Sequence, residues 1–236
     1  EADTNLPKVP IVRLLDPAVG IDMAHYVLYW VMHCHRGYAQ YQQQQQQAIW
    51  RNFQVETVNN YCVTILGLGL IGEYIATKVT DNGFKTQAWN RSQKTIENIN
   101  CFSGANGFSA ALSNANVLVN CLPHNSTTDK LINLKVLQSL PKGAHVINVS
   151  RGGVIDHDAL LSLLDSGHLA SAVLDTFSTE PLPVEAPLWK HPNVSITPHM
   201  SGATYPNTSA KVIVDNILRI EKGDEPFPIY PQFEVE

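Results

Sequence analysis

Positive charge is scarce in this chain and nowhere clustered. Its 16 Lys and Arg stand against 21 Asp and Glu, a formal net charge of −5. Nucleic acid and anionic membrane surfaces are therefore poor partners, because both are recognised by concentrated basic side chains. Long apolar runs are lacking too. The longest, such as Val27-Leu-Tyr-Trp-Val-Met32, fall far short of the roughly 20 residues that span a bilayer. Cysteine is sparse. Cys34, Cys62, Cys101 and Cys121 are scattered and form no CxxC pair, which argues against a disulfide framework and for free thiols in a reducing compartment. The first residues, Glu-Ala-Asp-Thr-Asn, have neither the basic nor the apolar region of a secretory leader, so a cytoplasmic protein is expected. His33-Cys34-His35 suggests a metal, but adjacent helical residues do not share a face and no fourth ligand is evident. No metal site is expected.

What is present is a core and an alternation. Of 236 residues, 44% are hydrophobic, enough to bury one large domain. Residues 8–14 read as a short extended segment. From Ile21 to Gln47 the apolar spacing predicts a long helix broken near Gly37, with the six glutamines Gln42–Gln47 as its solvated last turns. Strands are then predicted at Cys62–Leu66, Lys85–Trp89, Val117–Cys121, His145–Val149, Ala172–Leu174 and Val194–Ile196. Helices are predicted at Ile71–Thr80, Leu134–Ser139, Asp158–Ser166 and Asn207–Lys222. Strands alternating with helices imply an α/β fold, a doubly wound parallel sheet covered on both faces.

The first strand runs into Gly67-Leu68-Gly69-Leu70-Ile71-Gly72. In that setting Gly67 permits a tight turn, Gly69 lets backbone approach a pyrophosphate, and Gly72 allows the helix to pack closely on the strand. The helix start then offers free N–H groups and a positive dipole end to phosphate. The next strand ends in Asn90-Arg91-Ser92, with Lys94 nearby. An NAD site places an acidic side chain about 20 residues beyond the loop to accept from the ribose hydroxyls. Here that acceptor is missing and a guanidinium stands instead, which suits a 2′-phosphate. NADPH is expected in preference to NADH.

Three further residues carry chemistry: Arg151, Glu180 and His199. Each alone is an ordinary loop residue. Together they meet the needs of a 2-oxo acid undergoing reduction. Arg151 can fork onto a carboxylate and carbonyl, His199 is a proton donor suited to neutral pH, and Glu180 can hold the histidine's tautomer and charge. Arg151 and His199 each follow a predicted strand, at the edge where open α/β sheets bind ligands.

These motifs, with Leu122-Pro123, Thr128, Asn148-Val-Ser-Arg-Gly-Gly-Val-Ile-Asp156, Asp175-Thr-Phe-Ser-Thr-Glu-Pro181 and Thr197-Pro-His199, resemble the D-2-hydroxyacid dehydrogenase family over nearly the whole chain. The Trp-Asn-Arg-Ser turn and the short spacing from Glu180 to His199 most resemble its NADPH-preferring glyoxylate/hydroxypyruvate reductase A branch. The resemblance implies a Rossmann domain over residues 20–202, with 1–19 and 203–236 as part of a second, substrate domain. It makes Arg151 the substrate arginine, His199 the acid/base and Glu180 its support. It places Leu122, Pro123, Thr128, Val149, Ser150, Arg151, Asp175 and His199 around the cofactor, Asp175 against the nicotinamide carboxamide. It also implies a homodimer through the long helix, on Val27, Leu28, Val31 and Met32. His25 stands where the family usually has Glu. The family's first several dozen residues have no counterpart here, so the chain is expected to bind NADPH and to reduce glyoxylate or hydroxypyruvate poorly by itself. Other readings that the motifs leave open are an NAD-dependent hydroxyacid or phosphoglycerate dehydrogenase, a nucleotide-sensing corepressor-like protein, and an inactive fragment.

Overall fold

The computed structural model describes residues 11–12 and 14–229. Its centre is seven short strands: β1 Cys62–Leu66, β2 Lys85–Asn90, β3 Asn100–Ser103, β4 Val117–Asn120, β5 Ala144–Asn148, β6 Leu169–Leu174 and β7 Val194–Ile196. They form one sheet in the order β3-β2-β1-β4-β5-β6-β7, and every pairing is parallel. Parallel strands must be joined by crossovers, and here these are mostly helices: α3 Leu70–Asp81, α4 Gly104–Leu112, α5 Leu134–Gln138 and α6 His157–Asp165. At the chain's start lie α1 Pro17–Arg36 and α2 Tyr38–Gln46, and near its end α7 Pro206–Glu221.

Side chains alternate across the sheet, yet both sides are apolar. Val63 and Ile65 of β1, Val117 and Val119 of β4, Ile147 of β5 and Val173 of β6 enter a core shared with α1 and α3. Leu66, Leu118, Val146, Ala172 and Leu174 enter a second core with Leu112, Leu137, Leu160 and Leu164. A strand with two buried faces reads as a continuous apolar run, which is why the sequence shows runs here and no polar alternation. The doubly wound sheet expected from the sequence is the one found.

Several boundaries differ from expectation. The long helix starts at Pro17, because Asp16 caps it by accepting from Ala18 N at 2.9 Å, and a proline is tolerated in the first turn. Gly20, which looks like a break, is inside that helix. A Cβ there would lie 2.5 Å from the Tyr74 ring, so glycine marks a helix–helix contact. The break at Gly37 is real, with φ +65. The pair β3 and α4 is not predicted by the sequence reading. β6 begins three residues before the predicted start, and α3 one residue before. Of the predicted extended segment at 8–14, Val12 pairs in isolation with Ile229, and residues 8–10 and 13 lie outside the described residues. The apolar residues Val27, Leu28 and Val31, expected at a subunit contact, are instead buried within the chain in the core shared with α3. Met32, by contrast, is exposed. No helix among the described residues is long and apolar enough to cross a membrane.

Candidate active site

In a parallel sheet all strand C-termini share one edge. Residues following β1, β2, β4, β5, β6 and β7 therefore converge, and the strand order reverses between β1 and β4, opening a crevice there. Every site residue read from the sequence lies on or just after one of these ends.

At β1 the chain turns through Gly67, whose φ is +94 and whose N–H donates to Trp89 O at 2.8 Å. A Cβ on Gly72 would lie 1.9 Å from Gly67 O, so the first turn of α3 packs directly on the loop. A Cβ on Gly69 would meet nothing within 4 Å. That open space, before the start of α3 at Leu70, is where a pyrophosphate can approach the helix N-terminus, so the residues present fit a dinucleotide. Leu68 is buried and Ile71 half-buried, while Leu70 is exposed. Asn90 Oδ1 accepts from Leu68 N at 3.3 Å, and its Nδ2 donates to Ser92 O at 3.0 Å and Ser92 Oγ at 3.1 Å. Asn90 thus ties the glycine loop to the end of β2. Arg91 is exposed just beyond. Lys94 is held by an ion pair with Glu73 in the first turn of α3.

Across the crevice, the loops after β4 and β5 are pinned by buried amides. Asn120 Nδ2 donates to Asn148 Oδ1 at 2.9 Å, and both residues are fully buried. Asn120 Oδ1 accepts from Leu122 N at 3.2 Å, and Asn148 Nδ2 donates to Arg151 O at 3.2 Å. Thr128 Oγ1 donates to Pro123 O at 2.6 Å, closing the Leu122–Thr128 loop, and Ser150 Oγ donates to Leu122 O. Val149 is buried beside them. Arg151 extends into solvent, its Nη1 donating to Ser150 O at 2.8 Å. A Cβ on Gly152 would lie 2.0 Å from Phe177 C, so the arginine loop rests on the loop that carries Glu180.

The trio is brought together. Glu180 Oε2 accepts from His199 Nδ1 at 2.7 Å, and Glu180 Oε1 accepts from Phe177 N at 2.8 Å. A charged carboxylate has no proton to give, so Nδ1 carries the hydrogen and Nε2 is left to exchange a proton. Partial burial works against the Glu180 charge. The hydrogen bonds from His199 and Phe177, with the positive charges of His199 and Arg151, outweigh it and hold the carboxyl below its usual range. His199 itself has φ +52, a left-handed backbone uncommon for a histidine. Its N–H donates to Asp175 O at 2.9 Å. Asp175 is fully buried, and its carboxylate accepts from Met200 N and Ser201 N, each at 2.9 Å, and from Thr197 Oγ1 at 2.5 Å. Thr197 Oγ1 in turn lies 2.7 Å from Tyr26 Oη on α1. Sequence reasoning missed Asn120, Thr197 and Tyr26 as site residues. Thr197 stands beside His199 in its motif, but nothing local marks Tyr26, which meets it from 171 residues away. His25 is exposed. Among the described residues no group of three or more His, Cys, Asp or Glu is placed to hold a metal ion.

The model of the D-isomer specific 2-hydroxyacid dehydrogenase NAD-binding domain matches residues 28–201. A glyoxylate/hydroxypyruvate reductase A from Serratia proteamaculans is 39% identical over 218 residues, covering 92% of this chain and 70% of that protein. A D-isomer specific 2-hydroxyacid dehydrogenase from Xanthobacter autotrophicus Py2, solved with NADPH and MES, superposes with a TM-score of 0.93 at 38% identity, covering 97% of this chain and 95% of that one. The NADPH-dependent glyoxylate/hydroxypyruvate reductase of Sinorhizobium meliloti, solved with NADP and sulfate, also gives a TM-score of 0.93, at 30% identity, covering 97% of this chain and 73% of that one.

Proposed function

The chain belongs to the D-isomer specific 2-hydroxyacid dehydrogenase family, and from that premise we propose that it uses NADPH to reduce small 2-oxo acids, glyoxylate and hydroxypyruvate among them, to 2-hydroxy acids. The observation that carries this reading is the His199–Glu180 pair at 2.7 Å, beside Arg151, on the sheet edge that also bears the open glycine loop. The reductase named for Sinorhizobium meliloti and the NADPH complex from Xanthobacter autotrophicus support the substrate class and the cofactor. Residues Gly67–Gly72 would cradle the pyrophosphate, and Arg91 with Ser92 would meet the 2′-phosphate. Leu122, Pro123, Thr128, Val149 and Ser150 would border the nicotinamide side, while Asp175, expected against the carboxamide, is fully buried behind them with its carboxylate taken up by Thr197, Met200 and Ser201.

The bound cofactor would supply the hydride. Arg151 pairs with the substrate carboxylate and polarises the carbonyl. The Nε2 proton of His199 passes to the oxygen as it becomes an alkoxide. Glu180, held charged, orients Nε2 through the Nδ1 bond. A hydride and a proton are added, and a 2-hydroxy acid results.

Residues 20–202 form the dinucleotide domain in this reading, and the flanks belong to the substrate side. The exposed apolar side chains of α7, Ile213, Val214, Ile217, Leu218 and Ile220, support an adjoining substrate domain. A homodimer is also proposed. Its support is no longer the buried stripe of α1 but the exposed Tyr29, Met32, Tyr38 and Trp50 on and after α1 and α2. The four free thiols support a reducing, cytoplasmic setting. The test is one preparation assayed for NADPH binding by fluorescence and for NADPH oxidation with glyoxylate and hydroxypyruvate, each repeated with NADH. Equal affinity for the two cofactors overturns the 2′-phosphate assignment. Binding with poor turnover is the result expected of this chain alone, and binding with no turnover of any 2-oxo acid by a form that also carries the family's N-terminal segment overturns the reductase reading.

A further inference from the structure

We propose that one face of α1 is the seat that sets the position of His199, with Tyr26 as its principal positioning residue. The inference rests on the reductase reading for its kinetic consequence, but its geometry stands without it.

Val19, Asp22, Met23 and Tyr26 are spaced as i, i+3, i+4 and i+7, and so share one face of the helix. All four meet the short segment 197–203 that carries His199. A Cβ on Gly202 would lie 2.7 Å from Met23 Cγ and 3.0 Å from Val19 Cγ1, so the segment lies flat against these two side chains. Asp22 Oδ2 accepts from Ala203 N at 3.0 Å. Tyr26 Oη lies 2.7 Å from Thr197 Oγ1, and Thr197 Oγ1 lies 2.5 Å from Asp175 Oδ1. The direction of this chain is forced. Asp175 as a carboxylate only accepts, so Thr197 spends its single hydroxyl proton there and accepts from the Tyr26 hydroxyl. Burial, with the Asp175 charge adding to it, pushes the Tyr26 phenol up to about 12, so it keeps its proton and remains a donor throughout the neutral range.

Asp175 is the shared anchor. The same carboxylate that receives Thr197 also receives Met200 N and Ser201 N, the two backbone groups just after His199. His199, between Thr197 and Met200, holds φ +52, a conformation that persists only when its surroundings over-determine it. The Tyr26 hydroxyl tethers Thr197, Thr197 completes the Asp175 anchor, and the anchor holds the turn that presents the imidazole to Glu180. The helix doing this also packs on α3, which starts at the glycine loop. Cofactor half and acid/base are thus referenced to one rigid element.

Tyr26→Phe removes one hydroxyl and keeps the ring. The expected result is kcat lowered about 3- to 10-fold, the worth of one neutral hydrogen bond, with KM and NADPH affinity within about twofold. Thr197→Ser keeps the hydroxyl and should keep kcat near wild type. Thr197→Val removes an Asp175 donor as well and should fall below Tyr26→Phe. Amide hydrogen exchange at His199, Met200 and Ser201 should quicken in Tyr26→Phe and Thr197→Val but not in Thr197→Ser, whether or not substrate is present. Wild-type kcat and wild-type exchange in Tyr26→Phe overturn the proposal. So does a loss of kcat matched by equal losses in NADPH affinity and thermal midpoint, which marks a general packing role. If the chain alone turns over too slowly for kcat to be read, the kinetics are taken in a form that also carries the family's N-terminal segment; if that form reduces no 2-oxo acid the reductase reading has failed, and the exchange measurements alone decide whether α1 seats His199.

Discussion

The two halves of the sheet edge are built by different means. On the β1–β2 side the working parts are backbone and empty space: a left-handed Gly67, a Gly72 packed on the Gly67 carbonyl, and a Gly69 facing an open volume. The polar side chains there, Asn90, Arg91 and Ser92, are half-buried or exposed. On the β4–β7 side the working parts are buried polar side chains. Asn120, Asn148 and Asp175 are fully buried, and all three hold neighbouring backbone through paired hydrogen bonds. The difference follows from what each half must handle. A dinucleotide brings its own charge and needs N–H groups and room. A proton transfer needs one ring nitrogen held at one point, and such precision comes from fully satisfied buried networks.

The largest effect expected from breaking this contrast is on the catalytic side. His199→Gln keeps a hydrogen-bonding group near Glu180 but removes the transferable proton. In a form that also carries the family's N-terminal segment it should lower kcat by about 10²–10⁴, the usual worth of general acid–base catalysis, while NADPH affinity from the other half stays within about twofold. Single-turnover kinetics with a fluorescence titration check both. Near-normal turnover would remove His199 from the mechanism.

The next effect is on stability and is confined to the same half. His145 in β5 bonds Ser171 in β6, with Nδ1 to Oγ at 2.7 Å. Burial, with the charge of His33 adding to it, lowers its pKa to about 4. The unfolded chain takes up this proton near pH 6.5, and the folded chain does not until about pH 4. Between these values the unfolded state binds more protons, so stability rises with pH and is lost as pH falls. The full swing is about 3 kcal/mol. His157, whose pKa burial also lowers, adds in the same direction. Urea unfolding at neutral pH and near pH 4.5 measures the slope, and His145→Asn should flatten part of it. An unchanged slope in that variant would place the acid sensitivity elsewhere.

These two halves were not equally legible in the sequence. The glycine loop, Arg91 and the Arg151–Glu180–His199 trio are legible because their residue types are few and chemically specific, and because each stands at a strand end. The supporting network is not. Asp175, Thr197 and Tyr26 are joined by contacts 22 and 171 residues apart, and no local spacing encodes such pairs. The unpredicted β3 and α4 fail for a different reason. Asn100-Cys-Phe-Ser has no fully buried residue, and Gly104–Leu112 contains two glycines and buries only Ala111 and Leu112, so the apolar period is too faint to read. The start of α1 is hidden because Pro17 and Gly20 look like breakers out of context, although Asp16-Pro17 is a helix start. The apolar stripe of α1 is visible, but whether it meets α3 or another subunit is a tertiary fact.

Arg91 gives a sharper probe of the cofactor half. It stands exposed at the end of β2, so its worth to the fold should be small. Its worth to NADPH should be that of a hydrogen bond to a charged group, about 1.5–3 kcal/mol. Arg91→Ala should therefore weaken NADPH binding by about one to two orders of magnitude and leave NADH binding and thermal stability almost unchanged. A variant that loses both cofactors equally would show that Arg91 supports the loop rather than the 2′-phosphate.

Gly69→Ala is the mildest change and the one that separates shape for the ligand from shape for the fold. Gly69 has φ −73 and ψ −175, an extended backbone that alanine adopts without strain. The added Cβ would meet no protein atom within 4 Å. Alanine also has fewer unfolded conformations to lose, so stability should stay within about 0.5 kcal/mol of wild type or rise slightly. The same methyl would project into the volume left for the pyrophosphate, in front of the first N–H groups of α3. It should cost about 1 kcal/mol of NADPH affinity, at the low end of overpacking penalties because the loop rim can give way. Gly72→Ala is the control with the opposite pattern: its Cβ would lie 1.9 Å from Gly67 O, so the fold itself must move before any ligand is added. Thermal midpoints and NADPH titrations of the two variants decide the matter. If Gly69→Ala destabilises the free protein as much as Gly72→Ala does, the open space at Gly69 is not reserved for the cofactor, and the cofactor half is no more ligand-shaped than the catalytic half.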